Sequence, residues 1–554
     1  MKSHPIIICL LVIVLAYSFA EAKYSGGTGE PSDPYRIATA EDLNDIGNHQ
    51  EDWDNHFVLV NDVNIAQYTG TQFKIIGRAN PDYKPFTGVF DGNDHKIWNF
   101  MWRSTDGNCI GLFRYVEEPA QIKNLGLENV DVNVINGMYV GGLVGYNSGT
   151  ITKCYSSGVI SGDREVGGLV GENGGGTITS CYSSTKILGS VYVGGLLGFN
   201  CFYSTICDCY TVGNVSGDDI YIGGLVGGNE GTIISCYSSG SVSGDAGGDC
   251  VGGLVGSHYY DTMIRNCYST SSVTGHYAVG GLAGEIQYGV ITGCYSTGSV
   301  SGYWWVGGLV GDNWFGTIND CFSTGAVLGD QDVGGLVGDN FGSITDCFSA
   351  AAVTGNKGTG GLVGYNEEEG TINNCYSTGR VLGTIHVGGL VGRNPHSIIT
   401  NCYSTGSVSG ITYVGGLVGY NQYGNILNCY STGTVTGSSS IGGLVGVNYY
   451  GGVHSSFWDV EISDCNSSAG GIGKTTTEMK TKSTFTNAGW DFTNIWDICE
   501  GTNYPRFVWQ VPAADWVCPD GVGFEDFSYL ADSWQIEFGI SDLAILCEQW
   551  LEGR

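Results

Sequence analysis

The chain has 554 residues, 54 of them acidic and 22 basic, for a formal net charge of −32. Such a surface repels phosphate backbones and anionic membranes, which argues against a nucleic-acid partner. Glycine is abundant at 93 residues, yet hydrophobic residues reach 42% and tyrosine numbers 33, so the chain can bury a core and is not a low-complexity coil.

The first 22 residues read as a secretory signal: Lys2 and His4, an apolar run over 6–19, then Ala20, Glu21 and Ala22 at an A-x-A spacing before Lys23. Cys9 lies inside the run with no small-residue box before it, which speaks against a lipid anchor. No later stretch is long and apolar enough to cross a bilayer. Residues 23–104 form a cap and first strands. Thr39 is placed to cap a short helix over 40–48, and such a helix would cover the open sheet edge of the first coil.

From 105 to 459 one phrase recurs. The Leu of a Gly-Gly-Leu triplet falls twelve times between Leu143 and Leu444 at spacings of 26–29 residues, the mark of a solenoid or array. Each unit offers three short β-favouring pieces, VGGLVG, TITxCYS and GxVxG, divided by Gly, Asn, Asp and Ser. The expected fold is all-β, a right-handed parallel β-helix of about twelve coils. At about 4.8 Å per coil that makes a rod on the order of 60 Å long.

Three columns follow from the repeat. The residue before each ladder Cys, from Lys153 to Asn428, is Asn, Asp or Gly in eight of eleven coils, which predicts a left-handed corner. The cysteines from Cys154 to Cys429 suit a stack of small apolar side chains better than disulfides or a metal site. The aromatic column from Tyr155 to Tyr430 either fills the core or faces outward to grip a sugar ring.

These residues resemble the GLUG-repeat proteins of bacterial surfaces, named for the G-L-(apolar)-G signature written here as GLVG. DPYRIATAEDLNDIG looks like the segment that leads such arrays, and SSFWD closes this one, with Ser456 in place of the ladder Cys. The resemblance implies an extracellular scaffold and supplies no reaction. The HExxH zinc motif of the large peptidases that carry such repeats is absent. Residues 460–512 are a C-terminal cap and linker. Residues 513–554 repeat an acidic turn and a helix, with Asp526 matching Asp542 and Trp534 matching Trp550, and resemble a dockerin. Asp520 and Asp526 are its candidate calcium ligands, but Trp516 and Cys518 stand where oxygen ligands belong, which puts calcium and a cohesin-like partner in doubt.

Candidate binding residues lie where the repeat varies. No Lys or Arg occurs over 266–356, and Glu285, Asp312 and Asp339 occupy one column on three successive coils. Stacked carboxyls repel, which raises a pKa or invites a cation. Tyr303, Trp304, Trp305, Trp314 and Phe315 accompany them, as in a carbohydrate cleft. Two readings stand: a scaffold for adhesion or display that binds polysaccharide or a surface protein without a cofactor, and a β-helical polysaccharide-degrading enzyme. Tyr259, Tyr260, Tyr288, Tyr423, Tyr449 and Tyr450 extend the aromatic stripe along one side.

Overall fold

Each repeat folds as five short strands, not three. In one coil these are Arg164–Gly167, Val170–Asn173, Thr177–Thr179, Tyr182–Ser183 and Lys186–Gly189. The Gly-Gly bend splits VGGLVG in two, and a left-handed corner splits TITxCYS. The computed structural model describes residues 23–79, 83–245 and 247–511. The expected signal segment and the dockerin-like tail, with Asp520 and Asp526, lie outside them.

Successive coils pair in parallel and in register, Val144 with Val170 and Thr150 with Thr177, so the molecule is a parallel β-solenoid. One face is a 16-stranded sheet of TIT-type strands, and a second is a 13-stranded sheet of VGxN-type strands. The remaining strands line the third side. Pairing in the first sheet starts early, with Tyr35–Ile37, His56–Leu59 and Val89–Asp91 ahead of Gln121–Lys123.

The corner column is left-handed throughout: φ is +52° at Lys153, +54° at Ser180, +52° at Asp320 and +53° at Asn374. A second left-handed column precedes each VGGL, at Tyr139, Glu165, Tyr192, Trp305, Asp332 and His386 among others. Its residue types carry no turn signature, so composition does not reveal it.

Inside the rod, Leu, Val, Ile and Cys stack on their own kind, each at or near zero exposure. The carbonyl of each repeat Leu accepts from both the Leu and the Val N–H of the coil before, as Leu362 does from Leu336 and Val337 at 2.8 and 3.0 Å. A buried asparagine ladder adds to this. Asn313 Nδ2 donates to Asn340 Oδ1 at 2.7 Å, Asn340 to Asn366 at 2.8 Å and Asn366 to Asn394 at 2.8 Å. Each of these amides also donates to a carbonyl of the following turn, so one side chain ties a coil to the next and closes its own bend. The ladder is interrupted at His258 and Ile286. His258 is held neutral, its pKa pushed down to about 4 by burial, while its Nδ1 lies 2.9 Å from Asn229 Nδ2 and its Nε2 3.1 Å from the Thr262 carbonyl.

The cysteine column is a row of free thiols. Each Sγ accepts the Cys N–H of the preceding coil, Cys321 to Cys347 at 3.4 Å, and donates to a carbonyl two residues back, Cys347 to Thr345 at 3.0 Å. Ser456 repeats the pattern with oxygen, accepting from Cys429 N–H at 3.1 Å. Burial pushes the Cys181, Cys347 and Cys375 thiols well up, and a buried thiol is inert. In the native protein a thiol reagent should therefore label Cys207 first and spare the ladder until denaturant is added. Native labelling of the ladder thiols would overturn this packing.

The aromatic column neither fills the core nor presents sugar-binding faces. Its neighbouring Ser is buried while the ring lies on the outside, half-exposed along most of the rod. The rings stack on one another with centroids 4.8–5.0 Å apart and planes within 1–8°. Their faces are spent on each other, leaving edges and hydroxyls to solvent.

At the N-terminal end helix α1 (Ala40–Ile46) is closed by a capping box between Thr39 and Asp42, and buries Ala40, Leu43 and Ile46. At the other end α2 (Thr476–Met479), α3 (Lys482–Thr486) and the hairpin of Trp496–Asp497 with Arg506–Phe507 fold back over the aromatic column. Met479, Phe485, Trp490, Trp496 and Phe507 bury Tyr403, Tyr430 and Phe457. The edge of the last coil is met instead by Ile472–Lys474, which pairs with Phe457–Asp459, a recurrent need of solenoids.

Candidate functional site

The repeat leaves two places for chemistry, both set by the strands of VGxN type. Alternation along such a strand sends the Asn inward and its neighbours outward. On Val310–Trp314, Asn313 is buried while Asp312 and Trp314 lie on the outer side. Register then aligns Glu285 with Asp312, Asp312 with Asp339, and Gln287 with Trp314.

The three acids do form one column, but it lies on a sheet and not on turns, and it is sheltered. Asp339 is 3% exposed. One oxygen of Asp312 and one of Asp339 are buried without a hydrogen-bond partner. Burial, then repulsion by Glu285, pushes Asp312 up to about 8. Asp339 is raised by burial first and by Asp312 next. Glu285 accepts from Gln287 at 2.6 Å and lies 3.4 Å from the Cys250 thiol. A base does stand near: Arg393, two coils beyond Asp339 in the same column, pairs with Asp332 and stacks on Tyr365 at 3.8 Å. A carboxyl as enclosed as Asp339 does not reach a polymer outside, whereas Glu285 and Asp312 are partly exposed.

Among the described residues one group of three metal-binding side chains comes within 4.8 Å, His49, Glu51 and Asp52. The Lys23 ammonium already offsets part of its charge, 3.0 Å from Glu51 and 2.6 Å from Asp52.

The second place is the edge where the VGxN strands turn into the TIT strands. Here Trp314 and Phe315 are 39% and 43% exposed, Tyr260 and Tyr288 51% and 52%, and Tyr450 75%. Trp314 packs on Phe341 at 4.5 Å, Phe315 on Tyr288 at 5.5 Å, Phe202 on Tyr260 at 4.8 Å, and Tyr423 on Tyr450 at 5.6 Å. Glu367, Glu368 and Glu369 interrupt the stripe. Trp304 and Trp305 are not on this edge. They lie across the Gly-Gly bend on Trp304–Gly307, where Trp304 packs on Tyr277 at 5.2 Å and Trp305 takes the left-handed position. Phe202, Tyr203 and Phe341 belong to the edge but escape a reading of the sequence, because they follow coils whose turns differ in length.

Eight stretches match the GLUG motif: 136–161, 162–187, 218–243, 247–274, 275–301, 355–382, 383–409 and 410–436. This is a GLUG-repeat chain. Each match spans about one coil, as 162–187 runs from before the Gly-Gly bend through Tyr182–Ser183. Among curated relatives, halomucin of Haloquadratum walsbyi is 33% identical over 150 residues, 26% of this chain and 2% of its own length. A protein of Evansella cellulosilytica, named provisionally as a Gly-rich membrane protein, is 29% identical over 211 residues, 30% of this chain and 23% of its own. The chain thus spans a minor part of each. A solved structure described provisionally as an immunoglobulin A1 protease of Bacteroides ovatus covers 88% of this chain and 95% of its own at 17% identity, with a TM-score of 0.23, too low to carry an argument.

Proposed function

We propose that this repeat rod is a scaffold at the cell surface or outside the cell, and that it adheres to polysaccharide through its aromatic edge. The observation that carries the reading is that edge: large rings left exposed in two runs on either side of Glu367–Glu369, where folded proteins otherwise avoid extended apolar patches. Ring faces offer apolar area to the C–H faces of sugars, and one coil per step sets them at a regular spacing along a polymer. The apolar leader over 6–19 and a disulfide at Cys499 support an oxidising compartment. Among the described residues no helix is long and apolar enough to cross a membrane.

The test is incubation of residues 23–554 with soluble and insoluble polysaccharides, scoring retention and release of reducing ends. Retention without release is expected, weakened about fivefold by Trp314→Ala, the loss of one aromatic contact of roughly 1 kcal/mol. Release of reducing ends that Asp312→Asn abolishes would make the protein an enzyme, and no retention by any polymer would end the polysaccharide reading.

A further inference from the structure

Between two bulky members of the outward column, Phe199 and Glu285, register places Gly228 and Ser257. The Tyr192 and Phe199 rings cover Gly228, 2.6 and 2.7 Å from where its Cβ would stand. Beside this stretch lies a recess of about 270 Å³, lined by Tyr192, Glu230, Tyr259, Tyr260, Gln287 and Tyr288. Tyr192 takes the left-handed position that recurs before each VGGL, and Tyr260 and Tyr288 take the one that recurs in the edge turn, with φ of +55°, +62° and +61°.

The recess is anionic and aromatic together. The Glu230 carboxylate is half-buried and accepts no hydrogen bond from the described residues, and burial followed by Glu172 raises its pKa. Over residues 187–264 there are seven acidic side chains and no Lys or Arg. Tyrosine rings around one carboxylate attract an organic cation, through the ring quadrupole and the charge at once.

We propose that this recess binds the protonated amine of an amino sugar, so that the rod selects cationic glycans with unacetylated hexosamine units. The inference rests on the polysaccharide-contact reading and adds the ligand class. A sugar is favoured over a lysine side chain because the recess opens onto the aromatic edge, where Tyr260 packs on Phe202 and Tyr288 on Phe315, giving ring faces for the next units of a polymer.

Calorimetry on residues 23–554 with glucosamine oligomers, N-acetylglucosamine oligomers, cello-oligosaccharides and oligolysine tests it. Glucosamine oligomers should bind about tenfold more tightly than the two neutral series, and Glu230→Gln or Tyr288→Ala should each remove about that factor. Asp218→Asn, which deletes one charge on another face, should leave binding unchanged. Equal loss in Asp218→Asn and Glu230→Gln would assign the effect to net charge and overturn the proposal. Equal binding of all three sugar series would overturn it while sparing the polysaccharide reading, whereas no sugar binding at all would remove both. Oligolysine bound as tightly as the glucosamine oligomers, and lost in Glu230→Gln, would replace the glycan by a protein.

Discussion

Replacing Asp312 and Asp339 together by Asn will stabilise the rod at pH 8 and change its stability little at pH 4. Both carboxyls have folded-state pKa values above the ordinary 3.8, Asp312 at about 8. A raised acid holds its proton more tightly folded than unfolded. Its contribution is therefore complete below pH 3.8 and is lost as pH rises towards 8, at about 1.4 kcal/mol per pH unit for one group. The penalty of carrying these acids should reach a few kcal/mol at alkaline pH. Glu285 and Glu367 add to the repulsion, and Arg393, engaged with Asp332, offsets only part of it. Asn has the same shape and no charge, so the double variant removes the penalty and keeps the packing. Urea unfolding at the two pH values reads the difference. Equal stabilisation at both would mean that the column titrates normally, and destabilisation at both would mean that the carboxyls hold bonds the rod needs.

The fold was legible where side-chain type reports backbone shape. Asn, Asp and Gly before each Cys announced the corner that Asn374 and Asp320 adopt, and the regular Leu, Ile and Cys columns announced an interior stacked one coil on the next. Legibility ended where position outranks type. Nothing in Tyr192, Trp305 or His386 advertises a left-handed backbone, because the strain there is imposed by the Gly-Gly bend that follows. The aromatic column was misjudged for a related reason: alternation puts Tyr155 to Tyr430 outside, but only the coil spacing reveals that the rings cover one another. For the candidate site, the acid column and Trp314 stood out by composition. The tyrosine recess did not, since Tyr192, Glu230, Tyr260 and Tyr288 come from four successive coils and meet only once register is known. The asparagine ladder was in plain view as the N of GLVGxN, yet Asn is so common in turns that its inward, amide-to-amide role needed the structure.

Gly335→Ala should be among the most damaging single changes the rod can suffer. In this coil the first motif glycine, Gly334, faces the Val337 carbonyl, and the third, Gly338, rides on the backbone of Trp305 and Val306 in the preceding coil. The middle one is tightest across the stack: a Cβ on Gly335 would lie 2.1 Å from the Gly361 carbonyl oxygen of the next coil. That oxygen cannot step aside cheaply. Its peptide is flanked by the bonds Gly335 N–H to Gly360 and Leu336 N–H to Leu362, at 3.1 and 2.8 Å, which hold the coils at their spacing. Relief requires opening the interface between two coils, on the order of 4 kcal/mol or more when backbone is the obstacle in a packed core. Because each coil touches only its neighbours, the damage should be local and the two half-rods should survive. Limited proteolysis should then cut the variant between about residues 335 and 362 and release two resistant fragments. Gly247→Ala, whose added Cβ would find its nearest atom at 3.5 Å, should remain uncut and unfold like the parent. If Gly335→Ala also resists protease and keeps the parent's unfolding midpoint, the coils can part by a few tenths of an ångström without loss. The repeated glycine would then need another cause than the nearness of the next coil.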